Sequence, residues 1–180
     1  MRKRCFIGLL MAFVSCFCFA QEQGCILYGK NWACMVCAPD GWILDQESFS
    51  KYGIYALFYE EGKTLGDSTP IIYVNSTKLD KATDAAMKRF VKSDIESYEK
   101  RGAVVKSVPL SGVTDKRIIC YSIVTENSSE KSAELCAYTR FKDVCFLIVL
   151  TAHTAAGIDG NVSNLESVIN NMKYMEAEEE

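Results

Sequence analysis

The chain has 180 residues, 49% hydrophobic and 24% charged, and its 23 acidic against 20 basic side chains give a net charge of −3. That length buries a full core in one domain. The acidic balance excludes a nucleic-acid binder, which needs a basic footprint for phosphate.

The N-terminus reads as a secretory leader. Arg2, Lys3 and Arg4 precede an uncharged apolar run from Cys5 to Phe19, and Cys18-Phe19-Ala20 places small residues at −3 and −1 of a cleavage site. The run is short for a bilayer span of about 20 residues, so a permanent membrane anchor is the weaker reading. Phe13-Val14-Ser15-Cys16 loosely matches a lipobox, so lipidation at Cys16 is the alternative, and membrane attachment is expected only in that case. Cleavage after Ala20 removes three of the 20 basic residues and leaves 160 residues, with 17 basic against 23 acidic and a net charge of −6. The expected location is the periplasm or the cell exterior.

Six of the nine cysteines remain after the leader: Cys25, Cys34, Cys37, Cys120, Cys136 and Cys145. An even number in an exported chain is compatible with disulfides.

The expected order of elements begins with short strands at 24–28 and 31–38 around Gly29-Lys30. By that turn geometry Cys25 opposes Cys34. The turn Pro39-Asp40-Gly41-Trp42 closes the second strand. Strands follow at 53–59 and from Pro70 onward, separated by a polar loop over 60–69. A long helix over 80–101 starts on an Asp80 cap. Its apolar stripe is Ala82, Ala86, Met87, Phe90, Val91, Ile95 and Tyr98, and Gly102 ends it.

Strands at 103–110 and 117–125 lead into a central hairpin over 133–153 with a Lys142-Asp143 loop. One face of that hairpin carries Leu135, Ala137, Phe141, Phe146, Ile148 and Leu150. The other carries Cys136, Tyr138, Cys145, Leu147 and Val149. Both faces are apolar, so the hairpin belongs mid-sheet with a layer on each side. A turn centred on Ser128 places Cys120 opposite Cys136, an expected cross-strand disulfide. After a small-residue loop, Ser163-x-x-Glu166 has capping-box form. It opens a short helix that buries Val162, Leu165, Val168, Ile169 and Met172. Residues 176–180 are an acidic tail beyond a single domain over 21–175. The expected fold class is α+β, a mainly antiparallel sheet covered by one long and one short helix.

The run CMVCAPDGWILD (34–45), with GIYALFYEEG and TPIIYVNST before the long helix, resembles the PsbP-like fold. In that family a strand ending in a Pro-x-Gly-Trp-type turn opens an α/β/α sandwich. The family comprises photosystem extrinsic subunits, exported bacterial proteins and small binding proteins. The resemblance implies a non-catalytic accessory or partner-binding role.

Chemistry-bearing residues are sparse. Cys34 and Cys37 have redox-motif spacing, the basis of an alternative reading as a thiol-dependent redox enzyme. They fall in a strand rather than at the helix N-terminus that stabilises a thiolate. His153 is the only histidine, and it lacks the second Cys-x-x-Cys or His pair that zinc would need with Cys34 and Cys37. Asp40, Asp45 and Glu47 around Trp42 read as exposed acids at a turn. Asn75, Asn127 and Asn161 head glycosylation sequons. No cofactor is called for. What remains is the aromatic-rich first half with Trp32, Trp42, Tyr52, Tyr55 and Tyr59. Trp42, Asp40, Tyr52 and Tyr55 are the candidate binding residues, with the 60–69 loop as rim, for an envelope protein partner or a small ligand.

Overall fold

The structure, a computed structural model, describes residues 24–48, 53–126 and 131–175. The expected leader, Cys16, Tyr52, the Asn127 sequon, the turn around Ser128 and the acidic tail lie outside these residues.

The elements run β1 (Gly24–Gly29), β2 (Trp32–Cys37), β3 (Trp42–Asp45), β4 (Ala56–Glu60), β5 (Ile71–Lys78), α1 (Asp84–Lys100) and β6 (Val104–Ser107). Then come β7 (Ile119–Glu126), β8 (Lys131–Phe141), β9 (Val144–Ala152), α2 (Ala155–Asp159), α3 (Val162–Asn170) and β10 (Lys173–Met175). A seven-stranded antiparallel sheet has the order β3-β4-β5-β9-β8-β7-β6, and a three-stranded sheet has the order β1-β2-β10. The fold class is α+β, as expected.

The central hairpin sits mid-sheet with the register its two-residue loop dictates: Arg140 opposes Cys145, Tyr138 opposes Leu147 and Cys136 opposes Val149. Each face feeds its own core. Leu135, Ala137, Phe146, Ile148 and Leu150 pack under the small sheet, α2 and α3, with Leu27, Val36, Trp42 and Leu165. Cys136, Tyr138, Cys145 and Val149 pack under α1 against Met87, Val91 and Ile95. Phe58, Phe146, Ile148 and Leu165 are fully buried, and each such side chain contributes about 1.5–3 kcal/mol relative to exposure.

Several expectations are corrected. Asp80 is not the helix cap: α1 begins four residues later, where Thr83 Oγ1 accepts from the Ala86 amide at 3.2 Å. Asp80 instead holds the Arg89 guanidinium at 2.9 Å. Ala82 therefore lies outside the helix, exposed. Ser163 does not cap α3 either. Asn161 stands at that position, and the Glu166 carboxylate accepts from the Gly112 amide at 2.7 Å, tethering the loop before β7. β3, α2 and β10 are additional elements. β10 matters most, because it joins β2 from the far end of the chain.

The expected Cys120–Cys136 pairing fails by one residue. Cys120 opposes Ala137 and Cys136 opposes Tyr121, so the two thiols enter different cores. A one-residue slip reverses every side chain of a strand. Cys25 and Cys34 share a face but are offset by two, because the turn is Lys30-Asn31: Cys25 opposes Val36 and Leu27 opposes Cys34. All six thiols are free and buried.

Candidate functional site

The tip of the β1–β2 hairpin lies over the strand ends in the middle of the large sheet and leaves a cleft of about 350 Å³. Tyr28, Lys30 and Trp32 come from the hairpin, Tyr55 from the residue before β4, Ser76 and Lys78 from the end of β5, and Asp143 from the β8–β9 loop. Local sequence explains the shape. Gly29 lies under the Trp32 indole, where a β-carbon would collide with the ring. Trp32 then stands edge-on to Phe146, with centroids 5.1 Å apart. That contact ties the hairpin to the large sheet.

Tyr28 is 78% exposed and Tyr55 40% exposed. Two phenol rings in water beside a half-buried indole form an apolar wall with hydrogen-bonding tips, the composition of a recognition surface. Lys78 reaches Asp143 at 3.7 Å, with both side chains well solvated, so that pair is easily exchanged for another partner. Among the described residues no ion pair holds Lys30. The cleft offers aromatic faces, two ammonium groups, a hydroxyl and one carboxylate. Such a set is chemically suited to holding a ligand by stacking, ion pairing and hydrogen bonding.

The residues singled out in the sequence divide. Tyr55 lines this cleft and Trp32 forms its back. Trp42 does not reach it. Only 6% exposed, Trp42 packs in the core below the small sheet, so its role as a binding anchor is withdrawn. The Pro39–Trp42 turn is structural: the Trp42 amide donates to Pro39 O at 3.0 Å while Gly41 adopts φ 74°, the third-position geometry that favours glycine. Asp40 is exposed on that turn. The 60–69 loop does adjoin it, with the Glu61 amide donating to Gly41 O at 2.9 Å. Yet Tyr55 and that loop lie at opposite ends of β4, five residues long, or roughly 17 Å. The expected single site is two separate places. Tyr28, Lys30 and Lys78 were missed, although aromatics flanking both sides of the Gly29–Asn31 turn signalled the tip.

The thiols are placed against catalysis. Cys34 is fully buried, and burial, then Cys25, pushes its pKa up to about 12. Burial, then Cys37, pushes Cys25 up to about 11. Cys34 and Cys37 stand three apart in one strand, so their side chains leave on opposite sides. Asp45 is spent on a local turn, accepting from the Glu47 and Ser48 amides at 3.0 Å each. His153 is exposed. Among the described residues no three metal-ligating side chains converge, and no helix is long and apolar enough to cross a membrane.

A half-buried polar cluster lies between α1 and the sheet. Tyr98 Oη donates to Glu134 Oε2 at 3.0 Å and Tyr138 Oη donates to Asp94 Oδ2 at 2.7 Å. Burial raises the Glu134 pKa, and the hydrogen bonds from Tyr98 and Cys136 offset part of that rise. This cluster orients the helix.

The architecture matches solved structures. The cyanobacterial PsbP of Synechocystis sp. PCC 6803 superposes with a TM-score of 0.50 at 15% identity, over 91% of this chain and 99% of that one. The fold is PsbP-like. A protein of Bacteroides thetaiotaomicron VPI-5482 matches with a TM-score of 0.50 at 14% identity, over 79% of this chain. Here the chain spans only 45% of its neighbour's length. No family model and no curated protein sequence matches. At these identities the PsbP-like likeness establishes the fold alone, and the cleft has to be read from its own residues.

Proposed function

We propose that the chain is an exported, non-catalytic binding module. Its hairpin-tip cleft takes a small ligand or a segment of an envelope protein partner. The observation that carries this reading is the convergence of Tyr28, Trp32 and Tyr55 with Lys30 and Lys78 around about 350 Å³. The lysines on an otherwise acidic domain favour an anionic group on the ligand, and the rings favour an aromatic or apolar body. Export rests on the leader-like N-terminus, and a membrane location applies only if Cys16 is lipidated. The accessory role implied by the PsbP-like resemblance agrees with this reading. The rival thiol enzyme is disfavoured by the burial and raised pKa of Cys34.

The test is capture from the native cell envelope with the mature domain as bait, repeated with Tyr28→Ala and Tyr55→Ala. A partner or ligand retained by the wild type and lost from both folded variants supports the cleft. Retention by both variants refutes it. Thiol-exchange turnover that disappears in Cys34→Ser would establish the rival.

A further inference from the structure

On the opposite face of the large sheet from the hairpin-tip cleft, three elements converge on a second cavity of about 260 Å³. The first turns of α1 supply Asp84, Met87 and Lys88. The loop before β7 supplies Lys116 and Arg117, and Arg140 comes from the end of β8. Four cations thus surround one carboxylate on a chain whose net charge is −3. Such a local reversal of sign focuses a positive potential in a concave site.

Asp84 marks where an anion sits. It takes Arg140 Nη2 at 2.6 Å and Nε at 3.2 Å. The hydrogen bond and charge of Arg140, followed by Lys88 and Arg117, hold its carboxyl below the usual range. Its side chain is nevertheless 74% exposed, so this tethered anion can swing away. Arg117 is held by Asp115 at 2.8 Å and 3.0 Å, which fixes its fork at the rim. Among the described residues Lys88 and Lys116 have no ion-pair partner. Asp84 and Asp115 offset the two arginines, so Lys88 and Lys116 leave the cavity with two uncompensated positive charges. A divalent oxyanion placed between Lys88, Lys116 and the Arg140 fork would compensate them. The buried Met87, with Ile119 beside it, gives the cavity an apolar floor that accepts an organic substituent.

We propose that this cavity is a second ligand site, selective for a phosphate monoester group, independent of the hairpin-tip cleft. The group could be carried by a soluble metabolite or by a lipid headgroup. Its volume suits a head group rather than a large ligand.

The test is titration of the mature protein, followed by amide NMR, with glycerol 3-phosphate. A parallel arm measures sedimentation with phosphatidylcholine vesicles, with and without phosphatidic acid. Saturable shifts at residues 84–88 and 116–119 are expected. The K88Q/K116Q double variant should weaken binding roughly tenfold or more, and Asp84→Asn should tighten it by removing the competing carboxylate. Vesicle binding that needs phosphatidic acid and both lysines, without a response to glycerol 3-phosphate, assigns the lipid source. No saturable response in either arm overturns the proposal. So does binding that the folded double variant leaves unchanged, and Tyr28→Ala and Tyr55→Ala should have no effect here.

Discussion

At the scale of single residues, Glu134 is the clearest measurable element. Its folded-state pKa is raised from 4.5, chiefly by burial. The folded protein therefore holds that proton more tightly than the unfolded chain does. As pH rises through 4.5 toward the folded value, the unfolded state gains the advantage and stability falls. Gln keeps an acceptor for Tyr98 and has no proton to lose. Glu134→Gln should therefore gain stability relative to wild type as pH is raised from about 4 to about 8, read as the difference in urea midpoints. A difference that is flat with pH, or of opposite sign, refutes the raised pKa. Burial acts on the thiols of both cores as well, pushing Cys120 and Cys145 up to about 12, where the reactive thiolate is scarce.

Among the elements, the β8–β9 hairpin organises the rest, and its turn is the point where local preference and tertiary demand disagree. Lys142 adopts φ 51°, a region that costs a non-glycine residue roughly 1–2 kcal/mol. Arg140 Nη1 donates to Lys142 O at 2.7 Å, and the Leu79 amide donates to Asp143 O at 2.6 Å. These backbone contacts survive substitution. Lys142→Gly should therefore stabilise the protein by about 0.5–1 kcal/mol after allowing for the entropy of glycine, read as a higher thermal midpoint. A loss of stability would show that the Lys142 side chain matters more than its backbone. The register of this hairpin followed from its loop length, whereas the β7–β8 register missed by one residue. Hydrophobic alternation could not correct that error, because Cys120 and Cys136 are acceptable on either face.

Across the whole molecule, the two sheets are held together by chain ends distant in sequence. β10 pairs with β2 so that Tyr174 opposes Cys34. The Tyr174 ring stacks on Phe141 at 5.2 Å and touches Phe146 at 5.4 Å. It bridges small sheet to large, next to Trp32. Tyr174 is half-buried, so Tyr174→Ala should cost about 2 kcal/mol, below the cost of truncating a fully buried aromatic, measured by denaturant unfolding. It should also loosen the hairpin tip and so weaken ligand capture at the cleft. A change below about 1 kcal/mol would mean that the small sheet docks without it.

By itself the sequence determined the α+β class, the central hairpin with its register and two faces, and most of the buried stripe of each principal helix, Ala82 excepted. These rest on periodicity and turn length, which are local properties of the chain. It also pointed to an aromatic-rich first half. Only the tertiary structure decided which aromatics are available. Trp42 and Tyr55 look alike in sequence, yet one is core and the other lines a cleft, because exposure depends on which layer covers each face. β10 was illegible because a three-residue strand carries almost no pattern and exists only where β2 offers an unpaired edge. The cleft itself is assembled from the β1–β2 tip, β5 and the β8–β9 loop, segments that run from Tyr28 to Val144 along the chain. Such a juxtaposition leaves no spacing in the sequence from which it can be read.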